Sequence, residues 1–469
     1  MRLSSVLILA SCAVAASLHA PLRAEVADPA FNATGRYLYG ENGTLAFRAV
    51  ANLPLPDGKV VAVFQFPTFA GFCAEPRCIT LARFSAGGTL EQVATFANGI
   101  EEVTAAAVDS SGRVVVVAQT TPGITGRDVH VARFNPATLS RDTSFAAGAG
   151  WRTVSFNARD EYPAAVAIDA ADRIVVAGAA SLTASDSDFL FFRLRSDGTL
   201  DPGFNGGGIR AVAFDLPGGL PLDQANAVAI ANDGDIIAVG NALDSNASRV
   251  RVAVTRLRSD GSYETGFCPS ACAFNAGYAA IAQGRTIYQF GAQTAHSDTG
   301  LALDTIAAGG YVIAGATYAD DGSNRRGAVA RFNEAGAYAA ETLGVSLGDN
   351  GVFNSVRAVD GAGTRILVAG NSGPADNFLL VQAYDGSLLP VVNYGNCHAQ
   401  NNGFCPIFGN GLGDNGPDVG RALTIDALGR PLLQAQGIAN AGGLPAIMVA
   451  RYTNTSGPRP DRIFRNGFQ

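Results

Sequence analysis

A strand-like segment that ends in arginine followed by an aromatic or aliphatic residue recurs along most of this chain, and a second apolar segment precedes each copy. The first set ends at Arg83-Phe84, Arg133-Phe134, Arg193-Leu194, Arg256-Leu257, Arg331-Phe332, the degenerate Gln382-Ala383-Tyr384, and Arg451-Tyr452. The second set covers residues 59–64, 113–118, 173–178, 235–240, 310–315, 365–370 and 430–436. Self-similarity at a regular spacing is the sequence signature of repeat folds, so we assign residues 25–452 to a seven-repeat unit.

Each copy divides into four short apolar segments with turn residues between them. In the fourth copy we assign these segments to residues 209–214, 225–230, 235–240 and 249–256. The unbroken apolar run from Val114 to Val117 is typical of a strand buried on both faces. No useful helical periodicity follows the N-terminal segment. The sequence therefore predicts an all-β fold, a seven-bladed β-propeller of four-stranded antiparallel blades. A linear β-solenoid is the alternative.

The third copy carries the fullest form of the repeat. It contains Asp172-Arg173-Ile174-Val175-Val176-Ala177-Gly178, then Asp188-Phe189 to Arg193-Leu194, then Asp197-Gly198-Thr199-Leu200-Asp201-Pro202-Gly203-Phe204. This order resembles the bacterial delta-60 repeat, and the resemblance covers residues 28–452. Copies five and seven depart from it through insertions at residues 268–272 and 397–405. The resemblance implies a propeller-like fold and leaves the function open.

The N-terminus has the composition of an export signal. Arg2 is followed by an apolar run over residues 3–18 and by small residues before cuts after Ala20 or Ala24. This pattern predicts a secretory signal peptide over residues 1–24, and a secreted or periplasmic protein. The alternative is a lipoprotein signal, in which Cys12 would be lipidated and would anchor the protein at the outer membrane.

An Asp-x-x-Phe element recurs at residues 28–31, 142–145, 201–204 and 461–464, with a Glu variant at 264–267. We interpret it as the start of a repeat, so residues 453–469 form a tail with a truncated eighth start. Two roles stay open for this tail. Residues 463–468 either latch onto the N-terminal strand of the first blade or act as a sorting segment, since they are similar to the C-terminal ends of various secreted Gram-negative proteins.

Six cysteines remain after removal of the signal peptide, and they fall into three close pairs. An even cysteine count in an exported chain predicts disulfides, and the clustering favours local pairing. The predicted bonds are Cys73–Cys78, Cys268–Cys272 and Cys397–Cys405.

The net charge of −7 becomes more negative once Arg2 and Arg23 leave with the signal peptide, which argues against nucleic-acid binding. We predict no cofactor and no metal. The histidines His130, His296 and His398 lack paired ligand spacing. The acidic segments at 186–188, 320–322 and 414–418 lack an EF-hand pattern and are assigned to solvated turns. A GxSxG match at residues 344–348 lacks the helix that a nucleophile elbow needs.

The recurring arginine is the charged residue repeated in most copies. One interpretation is a collar that binds carboxylates or sulfated sugars. The other is a structural residue whose stem packs on the blade, which its assignment to the fourth, outer strand favours. With no catalytic constellation visible, we predict an exported monomeric binding or surface scaffold whose loops contact an unidentified ligand, a carbohydrate or a protein. The alternative is an extracytoplasmic propeller hydrolase or lyase acting on a sugar or lactone.

Overall fold

The fold is described from a computed structural model. It describes residues 30, 32–33, 36–39, 48–67, 77–97, 99–124, 126–156, 158–216, 221–244, 249–268, 283–291, 296–319, 325–343, 351–372, 378–389, 419–438 and 445–452. The predicted signal peptide, the GxSxG segment and the tail lie outside these residues. No helix within them is long and apolar enough to cross a membrane.

The described residues form seven antiparallel sheets, each one blade of a β-propeller, and a single 3-10 turn at Ala146–Gly148. The strands of the first four blades, with the N-terminal strand first, are β1 Arg36–Tyr39; β2 Arg48–Pro54, β3 Val60–Pro67, β4 Arg77–Phe84, β5 Leu90–Phe96; β6 Ile100–Val108, β7 Val114–Thr120, β8 Val129–Phe134, β9 Trp151–Val154; β10 Glu161–Ile168, β11 Ile174–Thr183, β12 Asp186–Leu194, β13 Ile209–Val212; β14 Asp223–Ile230, β15 Ile236–Asp244, β16 Arg249–Leu257, β17 Arg285–Tyr288. The last three blades contain β18 His296–Thr305, β19 Tyr311–Ala319, β20 Arg326–Phe332, β21 Tyr338–Leu343; β22 Val352–Ala358, β23 Arg365–Ser372, β24 Phe378–Asp385; and β25 Val419–Ile425, β26 Pro431–Ile438, β27 Pro445–Arg451. The prediction of a seven-bladed propeller is confirmed, and the described part of blade 6 has three strands.

The blade boundaries differ from the predicted ones by one strand. Residues 209–214 were assigned to the start of the fourth copy, whereas β13 pairs with β12 and completes blade 3. The fourth blade begins at β14 and ends with β17. The pairing decides this assignment, because residues 195–208 lead the chain back alongside β12, where Ile209 lies opposite Phe192 and Val212 opposite Phe189.

The N-terminal strand closes the ring. Strand β1 is the outer strand of blade 7, where Arg36 lies opposite Ala450 and Tyr39 lies opposite Ile447 of β27. The first strands of successive blades are neighbours all the way around, including β25 and β2. Closure by residues 463–468 was one of the two roles that the sequence left open for the tail. Those residues lie outside the described part of the chain, and the closure seen here uses the other end of the chain.

Each interface between neighbouring blades contains one hydrophobic cluster, seven in all. Strand β7 shows why, since its residues from Val114 to Gln119 are all buried. Its odd and even side chains pack against opposite neighbouring blades, with Val114 and Val116 on one side and Val115 and Val117 on the other. The unbroken apolar runs therefore reflect burial on both faces, as predicted.

Every innermost strand carries a β-bulge near its start. The pairing skips one residue between Ala49 and Ala51 in blade 1, and the same skip occurs in the other six blades. The glycine at the end of the Val-Ala-Gly pattern lies opposite this bulge. A Cβ on Gly240 would lie 1.9 Å from the carbonyl oxygen of Gln224. In blades 3 to 6 this glycine allows the close backbone approach at the bulge, whereas the same position is Phe64, Ala118 and Ala435 in blades 1, 2 and 7.

Candidate functional site

The recurring arginines lie at the end of the ring that carries the turns between first and second strands, here called the turn end. Arg193 is 2% exposed, and its Nε donates a hydrogen bond of 2.8 Å to Oδ2 of Asp201. Its Nη1 donates to the backbone carbonyl of Ser259 in the next blade. One side chain thus joins its own blade to its neighbour.

This contact recurs around the ring, and we call it the arginine staple. The donor is always Nη1, and the acceptor is a backbone carbonyl of the following blade. The pairs are Arg83 with Pro136, Arg133 with Ser196, Arg193 with Ser259, Arg256 with Glu334, Arg331 with Gly386, and Arg451 with Ala86. The structural interpretation of the arginines is confirmed, and the collar is wrong. The assignment to the outer strand is also wrong, since the arginines lie on the third strand of each blade.

The Asp-x-x-Phe element completes the staple. Asp201 pairs with Arg193, and the ring of Phe204 lies 5.1 Å from the guanidinium carbon of that arginine. The next residue, Asn205, donates its backbone N–H to Asp260 in blade 4. The element therefore follows the third strand of a blade. Our assignment of it to the start of a repeat is wrong.

The opposite end of the ring, here called the mouth, carries side chains that differ from blade to blade. The residues two positions before each bulge are exposed or half-buried in six blades and buried in blade 6. They are Arg48, Glu102, Tyr162, Gln224, Thr299, Val352 and Val419. At the level of the bulge itself lie Val50, Thr104, Ala164, Asn226, Leu301, Asn354 and Arg421.

A chain of charged contacts runs along one side of the mouth. Arg127 donates from Nε to Oε2 of Glu101 at 2.7 Å and from Nη1 to Oδ2 of Asp160 at 3.4 Å. The phenol of Tyr162 donates to the same Asp160 oxygen at 3.2 Å. The Arg77 guanidinium donates to the Glu101 carbonyl at 2.7 Å. These contacts fix Tyr162, which is 39% exposed, beside a guanidinium and a carboxylate.

Two further arginines meet beside this chain. Arg48 forms an ion pair with Glu102. Burial, and then the positive charges of Arg421 and Arg77, lower the pKa of Arg48 to about 10. Burial also lowers the pKa of Arg421, which forms no ion pair or hydrogen bond with the described residues although solvent reaches it. Within this part of the mouth, four arginines face three carboxylates.

Three acids at the starts of innermost strands have raised pKa values but no access to a substrate. Burial is the main cause in each case, and it raises the pKa of Glu161 to about 8, of Asp223 to about 7 and of Asp298 to about 6. All three are 0% exposed. Glu161 accepts the backbone N–H of Phe156, and Asp223 accepts that of Phe214, at the connections from the preceding blades. Glu161 and Asp223 therefore hold these connections.

The remaining predicted residues are dispersed. His130 is buried and stacked on Trp151, and burial with Arg141 lowers its pKa to about 4. Cys78 and Cys268 are buried. Their predicted partners, and the pair Cys397–Cys405, lie outside the described residues, so the disulfides stay predictions. His398 and the acidic segments at 320–322 and 414–418 also lie outside them.

The acidic segment at 186–188 is not a solvated turn. Asp186 begins β12, and Asp188 is only 6% exposed.

A groove of about 330 Å³ lies at the turn end between blades 1 and 2. Its cationic residues Lys59 and Arg83 both pair with Glu91. We therefore place the candidate site at the mouth.

Comparisons with known proteins agree with this fold. A family described as a domain of unknown function (DUF5122) beta-propeller matches residues 171–204 and 231–267. A search of curated protein sequences finds no match. The structure of a polysaccharide lyase, PL25 ulvan lyase, is 12% identical, covers 89% of this chain and 98% of its own, and gives a TM-score of 0.50. The BP39L lectin from Burkholderia pseudomallei is 12% identical, with coverages of 90% and 100% and a TM-score of 0.40. These similarities concern the fold alone.

Proposed function

We propose that this protein is an exported binding propeller that holds an anionic saccharide at the mouth, with Arg48 and Arg421 as its charge contacts. The observation that carries the proposal is that Arg421 lies close enough to Arg48 for its charge to lower the pKa of Arg48, while Glu102 forms an ion pair with Arg48 and none with Arg421. A guanidinium offers a planar fork of donors that matches a carboxylate or sulfate. A ligand anion would supply the negative charge that Arg421 lacks among the described residues.

The uncharged residues of the mouth suit the rest of a sugar. Gln224 is exposed and Thr299 is half-buried, and both carry groups that can hydrogen-bond to hydroxyls. The exposed ring of Tyr162 offers an apolar face with a polar edge, held in place through Asp160. The groups proposed for charge selection and those proposed for hydroxyl recognition thus lie at the same end of the ring. The predicted export would bring this mouth into contact with extracellular glycans.

A polysaccharide lyase or hydrolase is the second candidate, favoured by the placement of Tyr162 beside Arg127 and Asp160. Burial and the charge of Asp160 raise the pKa of Tyr162, which keeps its phenol protonated and able to act as a proton donor. Glu161, Asp223 and Asp298 also have raised pKa values but are 0% exposed, and Asp188 and Asp235, whose pKa values are raised as well, are buried too. This distribution supports binding over catalysis.

The test is calorimetric titration of the full chain with oligogalacturonate, a sulfated oligosaccharide and a neutral glucan. We expect the first or the second to bind, and the R421A variant to lose at least about tenfold in affinity. R258A is the matched control, because Arg258 is an exposed turn-end arginine paired with Glu264. Equal affinity of wild type and R421A, or equal binding of the neutral glucan, would contradict the proposal. If the oligosaccharides accumulated unsaturated sugar ends or new reducing ends, the lyase or hydrolase would be favoured instead.

A further inference from the structure

Three aspartates meet on the mouth side of blade 3. Asp186 and Asp188 lie at the start of β12, and Asp215 lies in the connection that follows β13. One carboxylate oxygen from each lies within 4.8 Å of the other two. Since Ca²⁺ binds oxygen at about 2.3–2.6 Å, a single ion can contact three oxygens spaced in this way.

The burial of Asp188 is a second, independent observation that points to a cation between these carboxylates. Asp188 is only 6% exposed, its carboxylate accepts no hydrogen bond from the described residues, and its Oδ1 is fully buried. A buried carboxylate that accepts no hydrogen bond is strongly unfavourable. Carboxylate oxygens of Asp186 and Asp215 lie within 4.8 Å of its own and add negative charge.

Asp223 adds a fourth carboxylate to the same region. It is 0% exposed, and its Oδ2 accepts the backbone N–H groups of Phe214 and Asp215 at 2.6 and 3.2 Å. Its Oδ1 has no partner among the described residues. Of the cations, only Arg285 counteracts the raised pKa of Asp188, and Nη1 of Arg285 donates to the carbonyl of Ala213. Asp188 therefore has three acidic neighbours, Asp186, Asp215 and Asp223, against this one arginine.

We propose that Asp186, Asp188 and Asp215 bind a divalent cation. The donors are all carboxylate oxygens, and this set favours Ca²⁺ over the metals that prefer nitrogen or sulfur. The ion neutralises Asp188 and the neighbouring charge of Asp223. It also ties the third strand of blade 3 to the connection that enters blade 4, at the end of the ring that lacks arginine staples. This site replaces the expectation of a solvated turn without metal.

The test is thermal unfolding of the full chain in millimolar Ca²⁺ and in EDTA. We expect Ca²⁺ to raise the Tm of the wild type by about 2 °C or more, because a ligand that binds only the folded state stabilises it. D215N should lose this rise and still fold, since Asp215 is exposed. D57N, in an exposed turn of blade 1, should keep the rise.

D188N gives a second readout that does not depend on the ion. Because the amide is neutral, this variant should unfold at a higher temperature than the wild type in EDTA and should not respond to Ca²⁺. Equilibrium dialysis should show one Ca²⁺ fewer per chain for D215N than for the wild type. A Tm rise of equal size in wild type and D215N would overturn the proposal. So would a wild type that ignores Ca²⁺, Mg²⁺ and Mn²⁺ and gains stability only on acidification, which would identify a shared proton as the neutralising species.

Discussion

The arginines at the turn end and those at the mouth have the same side chain in opposite surroundings. Arg193 is buried, paired with Asp201 and bonded to the next blade. Arg421 is exposed, close enough to Arg48 to lower its pKa, and unpaired among the described residues. The turn-end arginines recur in six of the seven blades, whereas the mouth arginines occur once each.

This difference separates arginines that assemble the ring from arginines that are candidates for ligand recognition. A repeated residue answers a geometric need that every blade shares, namely fixing one blade to the next. A charged residue that departs from the repeat at an exposed position has no such role in assembly, which makes it a candidate for recognition.

The largest expected effect comes from breaking a staple. R193A leaves Asp201 partly buried without its main partner and removes the bond to Ser259, so we expect a loss of about 3–5 kcal/mol in unfolding free energy. Urea unfolding measures it. R258A should cost at most about 1 kcal/mol, because its ion pair is exposed. Equal losses in the two variants would show that the staple is not what holds the blades.

A smaller loss is expected at the mouth when the backbone is disturbed. The Cβ of G240A would collide with the Gln224 carbonyl opposite the bulge, so we expect about 1–3 kcal/mol of destabilisation. In G207A the new Cβ meets no atom within 4 Å, and its unfolding free energy should stay close to that of the wild type. If G240A is as stable as G207A, the glycine is not required by the bulge.

The pH dependence tests the buried mouth acids. The pKa of Glu161 is about 8 in the folded protein against 4.5 ordinarily. Between these values the folded state holds a proton that the unfolded state releases, so stability falls as pH rises through this window. E161Q should lose less stability than the wild type between pH 5 and pH 8, measured by urea unfolding in EDTA. If the unfolding free energies of wild type and E161Q changed with pH in parallel, the raised pKa of Glu161 would be contradicted.

The smallest effect on stability is expected for R421A. Removing an exposed, unpaired charge that repels Arg48 should change the unfolding free energy by no more than about 0.5 kcal/mol. Urea unfolding of R421A, measured alongside R193A and the wild type, provides the check. A loss comparable to that of R193A would mean that Arg421 also supports the ring.

The sequence predicted the seven blades because glycine, arginine and the aspartate turns recur wherever the same geometry recurs. It missed the closing strand, since Arg36–Tyr39 pairs with residues about four hundred positions away along the chain. The one-strand error at residues 209–214 has a local cause. The outer strand β13 has only four residues, and a loop separates it from the strand on either side.

The candidate site was harder to predict than the fold. The repeat drew attention to Arg193 and its equivalents, which are structural. Arg421 lies at the bulge, where the equivalent residues of blades 4 and 6 are Asn226 and Asn354. A comparison of charges at equivalent positions could have singled it out. The bulge that places it at the mouth is visible only in the strand pairing.

The central claim is that the turn end holds the ring together and the mouth binds the ligand. Its most direct test is the rise in Tm that an anionic oligosaccharide causes in two variants. R193K weakens a staple, because lysine lacks the fork of donors, and R421A alters only the mouth. We expect R193K to start from a lower Tm and to show the same ligand-induced rise as the wild type. R421A should start from the wild-type Tm and show little or no rise. A rise that is lost in R193K and retained in R421A would contradict the account.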